Sequence, residues 1–274
     1  SVRTIFTTHF HSDHVDGLVS FAGLCSWYFK TTSPRIYVTE QKGMDAMKAL
    51  LETAIGSFDG ERVRFEMMTP DTLYEDENIL LADKKPGVLC HSAGEWSWNT
   101  LIANIQAYLR AKGEWDPARE NSFAPALCNR IDRNTGGIVI AAKNAEALRI
   151  MDDKVKNREI EKIYLAAVVG VPRPAAGRLE GYLFKDAKNN QVYVYDAPRT
   201  GAKTAVTEYR TLATDGRLTL VECRLITGRT HQIRAHMASI GCPLAGDWLY
   251  GREDPDLIPR PALHAYALEL DHPV

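Results

Sequence analysis

The stretch Asn129-Arg130-Ile131-Asp132-Arg133-Asn134-Thr135-Gly136-Gly137, running straight into Ile138-Val139-Ile140-Ala141-Ala142, decides how the rest of the chain is read. The apolar run is too short for a helix and rich in β-branched residues, which predicts a buried strand. Asp132 therefore stands on a loop anchored by a core strand, with an arginine on either side. Such loops are common seats for catalytic residues. An aspartate that only pairs with its arginine neighbours on a turn accounts for the same pattern.

Outward from this loop, strands are expected at Asn78–Asp83, Lys162–Val169, Gln191–Tyr195, Ala205–Leu212, Leu218–Ile226 and Leu263–Leu270. Helices are expected at Trp98–Lys112, where Leu101, Ile102, Ile105, Tyr108 and Leu109 share one face, and at Ala145–Val155. Strands outnumber helices and do not alternate with them. The fold class is therefore α+β on a mostly antiparallel sheet. Residues 1–70 read as a separate unit, with strand candidates at Arg3–Thr7, Arg35–Thr39 and Arg62–Met67 and helix candidates at Leu18–Phe29 and Gln41–Ala54. Thr69-Pro70-Asp71 is the expected junction, so the division is 1–70 and 71–274.

Composition narrows the function class. No apolar run approaches the roughly 20 residues of a membrane span. Five scattered cysteines with no C-x-x-C pair suggest reduced thiols and a cytoplasmic location. The net charge of −2 does not advertise a nucleic-acid binder. Locally, however, Arg224 to Gly246 contains no acid but holds Arg224, Arg229, Arg234, His231 and His236. A basic stripe beside an aspartate loop can bind a phosphate backbone; an ordinary solvated basic face is the bland alternative.

Five blocks in order carry a resemblance. They are Leu73–Ser92, the Asp132 loop, Glu161–Gly170 (EKIYLAAVVG), Arg224–Gly251 (RLITGRTHQIRAHMASIGCPLAGDWLYG) and Arg260–Pro273. Together they resemble the RluA family of RNA pseudouridine synthases. The resemblance implies a mixed, mostly antiparallel sheet with a central cleft, in which a uridine of RNA is isomerised to pseudouridine without a cofactor. It makes Asp132 the catalytic carboxylate and Tyr164, in K-x-Y-L, the active-site tyrosine. It also makes Arg229 the arginine that pairs with Asp132, a partner that would favour the ionised carboxylate. Arg130, Arg133, His231, Gln232 and Arg234 are expected to face RNA, with ribosomal RNA favoured over transfer RNA. His236 and His264 are equally well read as packing residues. Asn129 stands where the family's loop often begins with histidine. A monomer without a membrane attachment is expected.

One motif lies apart. His9-Phe10-His11-Ser12-Asp13-His14 resembles the H-x-H-x-D-H signature of the metallo-β-lactamase superfamily. The alternating histidines suit one metal, and Asp13 with His14 a second. Only eight residues precede it, and the next histidine is His91. The motif is therefore expected to be a partial α/β metallo-β-lactamase-like segment with vestigial ligands and no functional metal. A zinc-dependent hydrolase acting through His9, His11, Asp13 and His14 is the alternative function.

Overall fold

A computed structural model describes residues 4–6, 35–38, 45, 48–49, 64–67, 72–92, 100–120, 122–252 and 258–273. Two sheets organise them. The smaller contains β1 (Thr4–Phe6), β2 (Arg35–Val38) and β3 (Arg64–Met67), all parallel. These fall within the three strands expected in the first seventy residues. His9, His11, Asp13 and His14 lie outside the described residues.

The larger sheet has ten strands. They are β4 (Thr72–Glu75), β5 (Ile79–Lys84), β6 (Ala126–Leu127), β7 (Gly136–Ala142), β8 (Glu161–Val169), β9 (Ala176–Asp186), β10 (Gln191–Tyr195), β11 (Lys203–Thr214), β12 (Leu218–Leu225) and β13 (Leu263–Glu269). The order is β10-β9-β11-β12-β8-β13-β7-β5-β4, and β6 pairs with β7. Every pairing is antiparallel except the short parallel contact between β13 and β7. The sheet is thus mixed and mostly antiparallel, as expected.

Among the described residues, three helices cover it. On one face lie α1 (Leu101–Ala111) and α3 (Gln232–Ser239); on the other lies α2 (Ala145–Asn157). The first helix buries Leu101, Ile105 and Leu109, one stripe at a spacing of four. The Thr100 hydroxyl caps it by accepting from Ala103 N, and the Asn144 side chain caps α2 by accepting from Ala147 N. Between these layers runs β7. Its Val139 and Ala141 join the core beneath α1, while Ile138, Ile140 and Ala142 join the core beneath α2. Both faces are covered, which is why this strand reads as unbroken apolar sequence.

The edge of β7 is shared. Strand β13 pairs with it only at Gly136 and Gly137, and β6 pairs with it at Ala141 and Ala142. Gly137 permits the first contact. It has φ +113°, and a Cβ there would stand 2.1 Å from the Ala265 carbonyl oxygen. Between the two pairings the sheet forks, and the Asp132 loop crosses that fork.

Candidate active site

The fork opens into a cavity of about 400 Å³. Asp132, Arg130, Tyr164, Arg229, His231, Gln232 and Arg234 all line it. The fold therefore gathers residues from the 128–135 loop, from β8 and from the N-terminal turn of α3, although a hundred positions separate the first from the last.

The Asp132 loop is fixed from behind. The Lys84 ammonium, almost fully buried at the end of β5, donates to three carbonyls: Val88 (2.8 Å), Arg133 (2.9 Å) and Lys85 (3.2 Å). Burial pulls this lysine down to about 8. Gly87 N donates to the Arg133 carbonyl and Arg133 Nε donates back to the Gly87 carbonyl. Arg133 is exposed but faces the 85–88 turn through that bond. On the other flank, Asn129 Oδ1 accepts from Ile140 N (2.7 Å), beside the Cys128 N to Ile140 carbonyl bond. A side-chain amide thus continues the strand pairing one residue further, a physical use for the asparagine at this position.

The opposite wall is α3. Its Arg234 is buried and held by a two-point ion pair, Nε to Asp247 Oδ2 at 2.6 Å and Nη2 to Asp247 Oδ1 at 2.7 Å. Its remaining nitrogen, Nη1, faces Asp132 Oδ2 at 3.9 Å. Burial opposes the charge, but the Asp247 hydrogen bonds and the charges of Asp247 and Asp132 together outweigh it and raise Arg234 above the ordinary arginine value. The guanidinium also stacks over the Tyr250 ring, 5.0 Å from its centre.

His231 completes the wall. Its Nε2 lies 4.0 Å from Asp132 Oδ2 and its Nδ1 lies 3.0 Å from the Tyr250 hydroxyl. That hydroxyl accepts from Val192 N and has its own proton to give, so Nδ1 is assigned as acceptor and the ring proton faces Asp132. Burial lowers the His231 value, with the Asp132 charge working against it. Its backbone is left-handed, φ 52°, uncommon for a residue other than glycine, although histidine adopts it more readily than most. Tyr164 is buried on β8, and burial, then the Asp132 charge, raise its phenol, which stays neutral and able to donate.

Two of the expected residues are placed differently in this geometry. Arg229 lines the cavity but is exposed, and its Nε donates to the Thr204 carbonyl at 3.1 Å. Among the described residues, the ion-pair contacts of Asp132 are with Arg234 and His231. The reason is the helix: α3 begins at Gln232, so Arg229 precedes it and turns outward, while Arg234 sits within its first turn. Gln232 was expected to face RNA. Instead it is buried with its whole amide spent internally, Nε2 on the Val206 carbonyl and Thr207 hydroxyl, Oε1 on Thr227 Oγ1 and Arg229 N. It ties α3 to β11. Arg130 remains exposed at the cavity rim.

Lys84, Asp247 and Tyr250 were not singled out from sequence. Asp247 and Tyr250 stood inside a quoted block, and the absence of any other acid between Arg224 and Asp247 was the available signal for a buried partner. Among the described residues, no group of three or more histidine, cysteine or acidic side chains is arranged to hold a metal, and no helix is long and apolar enough to cross a membrane.

Comparison with known proteins bears on this cavity. Residues 78–239 match the RNA pseudouridylate synthase family. The chain is 33% identical over 220 residues to the ribosomal large subunit pseudouridine synthase D of Borreliella burgdorferi, covering 78% of this chain and 66% of that protein. It is 32% identical over 190 residues to the mitochondrial tRNA pseudouridine(32) synthase of Saccharomyces cerevisiae, covering 66% of this chain and 37% of that one. The chain thus spans less than two thirds of the length of these curated relatives. The structure of human RNA pseudouridylate synthase domain containing 4 shares the fold, with a TM-score of 0.59 at 22% identity over 82% of this chain and 88% of that one. Neither the family match nor the relatives support a metallo-β-lactamase-like reading of residues 1–70.

Proposed function

The chain belongs to the RluA family of RNA pseudouridylate synthases, and on that premise we propose that it isomerises uridine in RNA to pseudouridine at Asp132. The observation that carries the proposal is the placement of Asp132. Its carboxylate opens into a cavity between a loop braced by Lys84 and a helix that presents Arg234 at 3.9 Å. In the reaction the bond between C1′ and N1 of uridine breaks, the uracil turns, and a C1′–C5 bond forms. C5 gives up a proton and N1 gains one, so the atoms balance without a redox partner. Asp132 acts either by covalent addition or by taking a proton from the sugar. Tyr164, neutral on the cavity floor, is placed to stack on the base and assist proton transfer. Arg234 and the Nε2 proton of His231 hold the carboxylate in position. Arg130 and Arg229, exposed at the rim, are suited to backbone phosphates.

Large-subunit ribosomal RNA is our first choice of substrate, supported by relatives named for it at 33% and 35% identity. Transfer RNA, named for the yeast relative, is the second. The test uses the purified chain on unmodified transcripts of each RNA, with pseudouridine mapped by carbodiimide-dependent primer stops. Asp132→Asn, nearly isosteric, is expected to abolish the stops while keeping RNA binding and the folded circular dichroism spectrum. Near wild-type turnover in that variant would refute the assignment.

A further inference from the structure

Three cations of the cavity lining, Arg130, Lys162 and Arg229, have no counter-charge among the described residues; Arg130 and Arg229 are exposed, and Lys162 alone of the three is half-buried. It stands on β8 two residues before Tyr164, so both side chains project from the same face of the strand, about 7 Å apart. The residues paired beside it are Leu225 on β12 and Leu268 on β13, and both also line the cavity. Val155 and Ile160 close the same end. Among the described residues no hydrogen bond or ion pair engages its ammonium. The nearby charge that acts on it is Arg158, of the same sign. The contrast with its neighbours is sharp. Lys84 has three carbonyls and Arg234 has Asp247, whereas Lys162 is half-buried among leucines and isoleucines. A partly desolvated, unpaired ammonium costs stability, so its place in the wall calls for an anion that arrives from outside.

We propose that Lys162 is a substrate-binding residue that receives a backbone phosphate next to the uridine held against Tyr164 and Asp132. This rests on the reading of the site as an RNA uridine site and extends it. A base reaching the cavity has to be turned out of its stack about its own backbone, which carries the flanking phosphates to the cavity mouth. An ammonium is a compact charge with three freely rotating donors, suited to a phosphate oxygen and poorly suited to reading a base edge. The apolar walls raise the value of that contact by excluding water from it.

The test is binding of a fluorescein-labelled ten-uridine RNA to the full chain, followed by anisotropy from 50 to 200 mM salt, for wild type, Lys162→Met, Lys162→Gln and Lys162→Arg. Methionine keeps the stem and suits the leucine walls, so folding is retained. Loss of one phosphate contact lowers the salt slope of a single strand by about 0.7, so wild-type affinity should fall about 2.6-fold more than that of Lys162→Met across this fourfold range. At 50 mM the methionine and glutamine variants should bind roughly tenfold more weakly, and arginine should restore both readouts. An unchanged salt slope in Lys162→Met, or a binding loss of equal size at every salt concentration, overturns the proposal and makes Lys162 a wall-covering stem. The outcome is separable from the reading of the site. A slope change in a protein that isomerises no RNA would keep the phosphate contact and sink the reaction, while isomerisation with an unchanged slope would do the reverse.

Discussion

Replacing Asp247 tests whether the site is held together by a buried charge pair. Asp247 is fully buried and Arg234 nearly so, joined by two bonds of 2.6 and 2.7 Å. Removing one member of such a pair leaves the other as an uncompensated interior charge, at a cost of about 3–5 kcal/mol. Replacing both with apolar residues removes the desolvation penalty along with the attraction and is often close to neutral. We therefore expect Asp247→Leu alone and Arg234→Met alone each to cost about 3–5 kcal/mol, and the double variant far less than their sum. In a domain of this size about 2–4 °C is lost per kcal/mol, so each single change should lower Tm by roughly 6–20 °C. The double variant should recover most of that yet stay inactive, because Asp132 no longer has Arg234 at 3.9 Å. Thermal and urea unfolding followed by circular dichroism give the four corners of the cycle, and primer-stop mapping gives activity. Additive single costs, or a loss below about 1 kcal/mol for Asp247→Leu, would refute the claim that this pair organises the wall.

Gly137→Ala should destabilise by roughly 2–6 kcal/mol, from the strained φ and the overlap with the Ala265 carbonyl together; a variant as stable as wild type in urea would contradict the close β7–β13 contact. His236, fully buried against the Thr207 hydroxyl, is held down by burial to about 4. Its folded value lies below its unfolded one, so the unfolded chain binds more protons between about pH 6.5 and 4 and stability is lost as pH falls through that window. The contribution approaches about 3 kcal/mol. His236→Leu should flatten this part of the urea-midpoint profile, and an identical profile in the variant would show that another group is responsible.

How much was visible beforehand depended on whether a residue's role was local. The strand after the Asp132 loop, the strand carrying Tyr164 and helices α1 and α2 all announce themselves by period, by β-branched content or by an apolar stripe. Strand β9 did not, because Gly177 and Gly181 and alternating charges lower its strand propensity, and only its pairing to β10 and β11 makes it a strand. Helix α3 did not either. Its residues 232–237 are buried on every side, so it has no polar face to give it a period, and it starts at His231 without a side-chain cap. The pairing of Arg229 with Asp132 rests on the family resemblance alone; with no helix expected at 232–239, nothing in the sequence marks Arg234 as the arginine that a helical turn carries to 3.9 Å from Asp132.

The two walls of the cavity are fixed by separate means, and this bears on how the site works. Lys84, Gly87 and Asn129 hold the Asp132 loop to β5, the 85–88 turn and β7, whereas Asp247, Gln232 and Tyr250 hold α3 to β10, β11 and the loop that follows it. None of these bonds crosses between the walls. What spans the gap is the looser approach of Arg234 and His231 to Asp132, near 4 Å. A carboxylate with that much clearance can move toward a sugar or base without first breaking a short ion pair, while the rigid walls keep its direction of approach. On the proposed role of Asp132, tightening that gap would cost the reaction its mobile group, and loosening either wall would cost its aim. Asp132 is thus loosely paired in a site whose supporting charges, at Lys84 and Arg234, are held by short bonds.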